Sequence, residues 1–114
     1  MSIRIIKHIV LFNVKHNTDP SKMDSMLTGL NALISLHQVL YLIADPLLRT
    51  QPSSFPFAHM LHSRYNSKDN QIAYSDHPSY VTVVTDFVKL ICYNIMVIDW
   101  VADSSIPRLP SSWP

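Results

Sequence analysis

The stretch "IRIIKHIVLFNVK", residues 3–15, decides how the rest of the chain is read. Strand alternation puts Ile6, His8, Val10, Phe12 and Val14 on one face and Ile5, Ile9 and Leu11 on the other. Both faces are apolar, so both need cover. Helices packed on one side of a sheet cover only one of them.

The elements that follow set the layout. "NTDPSKMDSMLTGLNALISL" (17–36) reads as a helix, with Asp19 as its N-cap and Pro20 at its first position. Met23, Met26, Leu27, Leu30, Leu33 and Ile34 form one apolar stripe on it. Gly29, the only glycine, lies inside this helix, where it costs about 1 kcal/mol against alanine. Close packing on the sheet is the expected reason. "QVLYLIAD" (38–45) is a second strand, with Val39, Tyr41 and Ile43 set against Leu40 and Leu42. The connection "DPLLRTQPSSFP" (45–56) carries Leu47, Leu48 and Phe55, so it is expected to pack as an arm.

"FAHMLHSRY" (57–65) alternates as a third strand, with Phe57, His59 and Leu61 on one face and Ala58, Met60 and His62 on the other. Ser67 caps a short helix through Tyr74, which the His77–Pro78 pair ends. A further helix from Ser79 lines up Tyr80, Val84, Phe87, Val88 and Ile91. "NIMVIDWV" (94–101) is the fourth strand. The domain is expected over 1–103, with a Pro/Ser-rich tail over 104–114 in which Trp113 packs on the body. The PxxP spacing of Pro107 and Pro110 is too short a match to define an SH3-type ligand.

The order β-α-β-β-α-β is the split βαβ of an α+β, ferredoxin-like subunit with a four-stranded antiparallel sheet. Because its strands are apolar on both faces, a second copy of the sheet is the economical cover. The expectation is a homodimeric barrel.

Composition narrows the function. The 114 residues are 47% hydrophobic and 15% charged with net charge +1, and no Lys/Arg block marks a nucleic-acid surface. Lys89, Asn94 and Asp99 interrupt the most apolar region, so no membrane span is expected. "MSIRIIKHIVLF" lacks the pattern of a signal peptide. With Cys92 as the only cysteine, the expected setting is cytoplasmic. The six histidines show no converging metal-ligand spacing, one glycine allows no phosphate loop, and no cofactor is expected.

With this layout, the chain resembles the stress-responsive dimeric α+β barrel (stress-response A/B barrel domain) family. The residues carrying the resemblance are "KHIVLF", "GLNALISL", "PLLRT", "FAHMLHSRYNSKDNQIAYSDHPSYVTVV" and "IMVIDWVAD", within 5–103. Many members are similar to plant stress-induced proteins. A few resemble plant polyketide cyclases of the olivetolic acid cyclase type, which close a ring by an aldol-type step without metal or cofactor.

Carried over by position, the resemblance puts the cyclase tyrosine on Tyr74 and the histidine of its "HP" pair on His77. Its cavity histidines fall on His8 and His59, and its cavity wall on Val10, Phe12, Leu61 and Val83. The catalytic histidine falls on Tyr80. An aldol closure needs a base near neutral pH and a donor for the developing oxyanion. Tyrosine, with an ordinary pKa of about 10, is a donor and a poor base. His59 or His8 would therefore have to act as base, with Tyr74 and Tyr80 donating, on an aromatic or polyketide-like small molecule. The alternative is a non-catalytic stress-responsive or ligand-binding dimer in which His8 and His59 are core residues and His77 is a corner brace. A cofactor-free monooxygenase is a third reading, supported by architecture alone.

Overall fold

A computed structural model describes residues 4–48, 50–51 and 54–103. The chain folds as β1 (Arg4–Val14), α1 (Pro20–Ala32) with a 3₁₀ turn (Leu33–Ser35), β2 (Tyr41–Pro46) and β3 (His59–Tyr65). It continues through α2 (Lys68–Asp76), α3 (Pro78–Val83), a π-helical segment (Val84–Val88), α4 (Lys89–Ile91) and β4 (Cys92–Asp103). The expected tail, with Trp113, and Pro52 and Ser53 of the arm lie outside the described residues. Among the described residues no helix is long and apolar enough to cross a membrane.

The caps are those that the local chemistry demands. Asp19 accepts from the Ser21 backbone N–H at 2.8 Å, and Pro20 opens α1. Ser67 accepts from the Asn70 N–H at 3.1 Å and starts α2. His77, extended before Pro78, ends α2, and its Nδ1 accepts from the Ser79 N–H at 3.1 Å to cap α3. The second helical region is thus one bent path. Its π turn lets the backbone N–H of Lys89 reach the carbonyl of Val84.

The sheet order is β2-β3-β1-β4, all antiparallel, as the split βαβ layout requires. Register pairs Val10 with Leu61, His8 with Ser63 and Ile6 with Tyr65, so these residues share the helix-covered face. They close on Met26, Leu30, Tyr74, Val83 and Val88 to form the core. Ile9, Leu11, Ile43, Met60, Met96, Ile98 and Trp100 share the opposite face, which no described element covers. The helices cover β4 only in part, and every residue from Tyr93 to Val101 is exposed.

Two local details correct or extend the sequence reading. Gly29 packs against the C-terminal helical path and not the sheet: a Cβ there would meet Phe87 Cδ2 at 3.3 Å and Val83 Cγ1 at 3.4 Å. The glycine therefore brings helix to helix. Asn31, unremarked in the sequence, ties α1 to β2. Its Nδ2 donates to Ala44 O at 2.8 Å and to Leu27 O at 3.0 Å, and its Oδ1 accepts from Ala44 N at 2.9 Å. Asn31→Ala would strand Ala44's amide and carbonyl. The expected loss is about 1–3 kcal/mol in a urea melt; a variant as stable as the parent would mean the tie carries nothing.

Candidate functional site

The helix-covered face holds the polar groups. His8, on β1, is buried, and its Nδ1 meets the Asp99 carboxylate of β4. The two are brought together by the register that pairs His8 with Asp99. Gln71 of α2 is also buried and donates from Nε2 to Asp99 Oδ1 at 3.2 Å, while lying 3.2 Å from His8 Nδ1. With Nδ1–H committed to the carboxylate, that nitrogen has no lone pair for Gln71, so the amide serves Asp99. The carboxylate thereby selects the tautomer in which Nε2 is the acceptor. No hydrogen bond to Nε2 occurs among the described residues.

Beside this pair runs an aromatic stack. The His8 ring meets Tyr65 edge-on at 6.3 Å, Tyr65 lies 5.3 Å from Tyr74, and Tyr74 lies 4.8 Å from Tyr80. These separations are ordinary packing distances for aromatic rings. Ser63 Oγ and Tyr65 OH share a hydrogen bond at 2.9 Å. Tyr74 is 1% exposed, and its hydroxyl lies against that of Tyr65 without a well-formed hydrogen bond among the described residues.

Burial lifts all three phenols above their ordinary pKa. For Tyr65 it is pushed up to about 12, partly offset by the Ser63 hydrogen bond. Tyr74 goes higher still, from burial first and then from its phenol neighbours, and Tyr80 rises by burial alone. At neutral pH these groups stay protonated, so they can donate hydrogen bonds but cannot serve as bases. Burial also pushes the Cys92 thiol up to about 11, which removes it as a nucleophile.

The site residues expected from the sequence do not converge on one cavity. Val10, Phe12, Leu61 and Tyr80 line a gap of about 30 Å³, room for a water or two and no more. Val83 is buried against Gly29. His77 is the cap between α2 and α3. His59 pairs with Phe12, four residues along β3 from the partner of His8, so about 13 Å separates the two histidines along the sheet. Leu61, buried, lies between them. His59 opens instead into a separate pocket at the end of β1. His62 points to the uncovered face, as alternation requires, and His16 and His37 are exposed.

Sequence reasoning missed Asp99, Gln71, Ser63 and Tyr65. Continuing the His59–Leu61 alternation would have placed Ser63 and Tyr65. Asp99 could have been placed beside Ile95 and Val97, but only the β1–β4 register shows that it meets His8. Among the described residues no group of three or more His, Cys, Asp or Glu is placed to hold a metal.

A four-stranded antiparallel sheet with helices on one face and a polar cluster beneath them defines a ferredoxin-like α+β half-barrel. The model of the stress responsive A/B barrel domain matches residues 6–102, and the chain belongs to that family. It is 46% identical over 112 residues to a stress-response A/B barrel domain-containing protein of Arabidopsis thaliana, covering 96% of this chain and 42% of that protein. It is 39% identical over 103 residues to a second Arabidopsis thaliana protein of the same description, covering 89% of this chain and 49% of that protein. The chain thus spans less than half the length of these curated relatives.

Among solved structures, a hydroxynitrile lyase from Passiflora edulis superposes with TM-score 0.76 at 17% identity, covering 90% of this chain and 97% of that one. A dimeric ferredoxin-like protein of unknown function from Thermobifida fusca superposes with TM-score 0.74 at 16% identity, covering 87% and 92%. At such identities these likenesses establish the fold alone.

The phenols generate a prediction with a definite sign. Tyrosines ionise near about 10 when unfolded, whereas Tyr65 holds its proton to about 12 in the fold. The native state then binds more protons than the unfolded state, so stability is full below about pH 10 and falls as pH rises toward about 12. Tyr65→Phe should flatten that loss in denaturation midpoints measured from about pH 9 to about pH 12; an unchanged slope would contradict the assignment. Tyr74→Phe removes a hydroxyl that makes no well-formed hydrogen bond among the described residues, so at about pH 7 it should cost less than about 1 kcal/mol in a urea melt.

Proposed function

We propose that this chain is one half of a two-fold α+β barrel, a non-catalytic stress-responsive homodimer whose tyrosine-lined interior is packed shut. The observation that carries the second part is Tyr74, 1% exposed between Tyr65 and Tyr80. A polyketide-sized ligand needs a cavity of about 300 Å³ or more, and about 30 Å³ is present at the wall residues Val10, Phe12 and Leu61. Tyr80 stands at the position of the expected base and adds its ring to the filling.

The dimeric part rests on the uncovered sheet face. Besides its apolar residues, that face carries His62 Nε2 and Arg64 Nε, both buried without a hydrogen-bond partner among the described residues. Arg64 stacks on Tyr41 at 4.8 Å and Lys7 on Trp100 at 5.8 Å. A partner sheet would cover the apolar surface and offer acceptors to these groups. The single unpaired Cys92 fits a cytoplasmic setting.

A catalytic reading has one observation in its favour, the buried His8–Asp99 pair. With Nδ1 held by the carboxylate, His8 Nε2 could take a proton α to a carbonyl without metal or cofactor, and a tyrosine hydroxyl could donate to the enolate oxygen formed. For a substrate to reach Nε2, the stack would have to open.

Incubation with a synthase that releases a linear tetraketide separates the two readings. The expected outcome is that wild type adds no ring-closed aldol product beyond the synthase alone. Wild-type cyclisation abolished by His8→Ala would overturn the proposal in favour of the enzyme.

A further inference from the structure

At the end of the sheet where His59 pairs with Phe12, a cavity of about 520 Å³ opens beneath the segment leading into β3. That size lies within the usual range of small-molecule sites, about 300–1,000 Å³. Both of its sides are tied down. On one, Lys15 N donates to Ile91 O at 2.7 Å, and Thr18 donates to Lys15 O from both N and Oγ1, at 3.1 and 2.7 Å. On the other, Leu47 N donates to Ala58 O at 2.7 Å, and the Phe55 and Phe57 rings pack at 5.2 Å.

The lining is chemically one-sided. Val14, Met23 and Phe55 supply apolar wall, and His59 carries a buried Nδ1 with no partner among the described residues. Burial lowers the His59 pKa, so the ring is neutral at about pH 7 and keeps one donor and one acceptor nitrogen. Lys15 and His16 are exposed at the rim, and no Asp or Glu lines the cavity. The Lys15 ammonium lies 5.9 Å from the Tyr93 ring centroid, a weak contact at an exposed site that a carboxylate can replace. An imidazole ring beside an apolar wall and beneath a rim carrying Lys15 suits a ligand of matching polarity.

We propose that this cavity binds a small amphiphilic carboxylate, with its apolar body against Val14, Met23 and Phe55, its anionic end at Lys15 and His16, and a polar group on the edge of the His59 ring that lines the cavity. The site is separate from the tyrosine stack and stands whether or not that side of the subunit is catalytic. It gives His59 a binding role distinct from that of a base acting with Tyr74.

The test is a titration of the isotope-labelled full chain with 4-phenylbutyrate, followed by NMR, with 4-phenylbutanol and 4-phenylbutylamine as matched probes. The carboxylate should produce saturable shifts over Val14–Thr18 and Phe55–His59; the alcohol should bind more weakly and the amine not at all. Reversing the rim with Lys15→Glu and His16→Glu should weaken carboxylate binding by about tenfold. His59→Leu should weaken it by about as much through the lost hydrogen bond. No saturable shift in those segments, equal binding of the three probes, or unchanged affinity in the rim variant would overturn the proposal. Both rim residues are exposed, so that variant decides the matter even if His59→Leu fails to fold.

Discussion

The constraint on which the structure depends is geometric. A four-stranded sheet with one layer of helices can cover only one of its faces, while its strands carry apolar residues on both. Ile9, Leu11, Met96, Ile98 and Trp100 pair across β1 and β4, but no described element packs over them. The β4 strand goes further, with Tyr93 to Val101 exposed on both sides at the edge of the sheet. At about 25 cal/mol per Å² of apolar surface removed from water, covering such a face supplies a driving force that no rearrangement of the helices can match. An unprotected edge strand of this length would otherwise invite indiscriminate pairing.

The covered face is organised by the opposite need, to bury polar groups without leaving them unpaired. Asp99 holds His8 Nδ1 and accepts from Gln71, and Ser63 pairs with Tyr65. The exceptions are His59 Nδ1 and the Tyr74 hydroxyl, neither with a well-formed hydrogen bond among the described residues. On the proposed reading, a tyrosine where the resemblance puts a base changes the chemistry in two ways. It removes a group that titrates near neutrality, and it inserts a large ring into the space a substrate would need. Both effects point away from proton transfer at Tyr74. An open cavity of about 520 Å³ lies at the other end of the helix-covered face, beside His59.

The layout was legible because it rests on periodicity. Alternation in "IRIIKHIVLFNVK" placed His8, Val10 and Phe12 on the helix side, as the β1–β3 register has them. Asp19, Pro20, Ser67 and His77 marked the helix ends through local capping chemistry. Boundaries moved where apolar runs outlast hydrogen bonding. Val39 and Leu40 precede β2, Phe57 precedes β3, and β4 extends to Cys92 and Asp103. Gly29 was noticed, but its neighbour was misjudged, because periodicity shows which face is buried and not against which element. The site was less legible for a similar reason. The His8–Asp99 contact joins residues 91 apart in sequence, and Asn31's tie to Ala44 depends on where α1 crosses the edge of β2. The separation of His59 from His8 follows from four residues of strand rise, which a shared face does not reveal.

Sedimentation equilibrium of the wild-type chain tests the central claim most directly. The account predicts a species of twice the 13.0 kDa chain mass that persists at micromolar concentration. A stable monomer, with its uncovered sheet face in water, would contradict it.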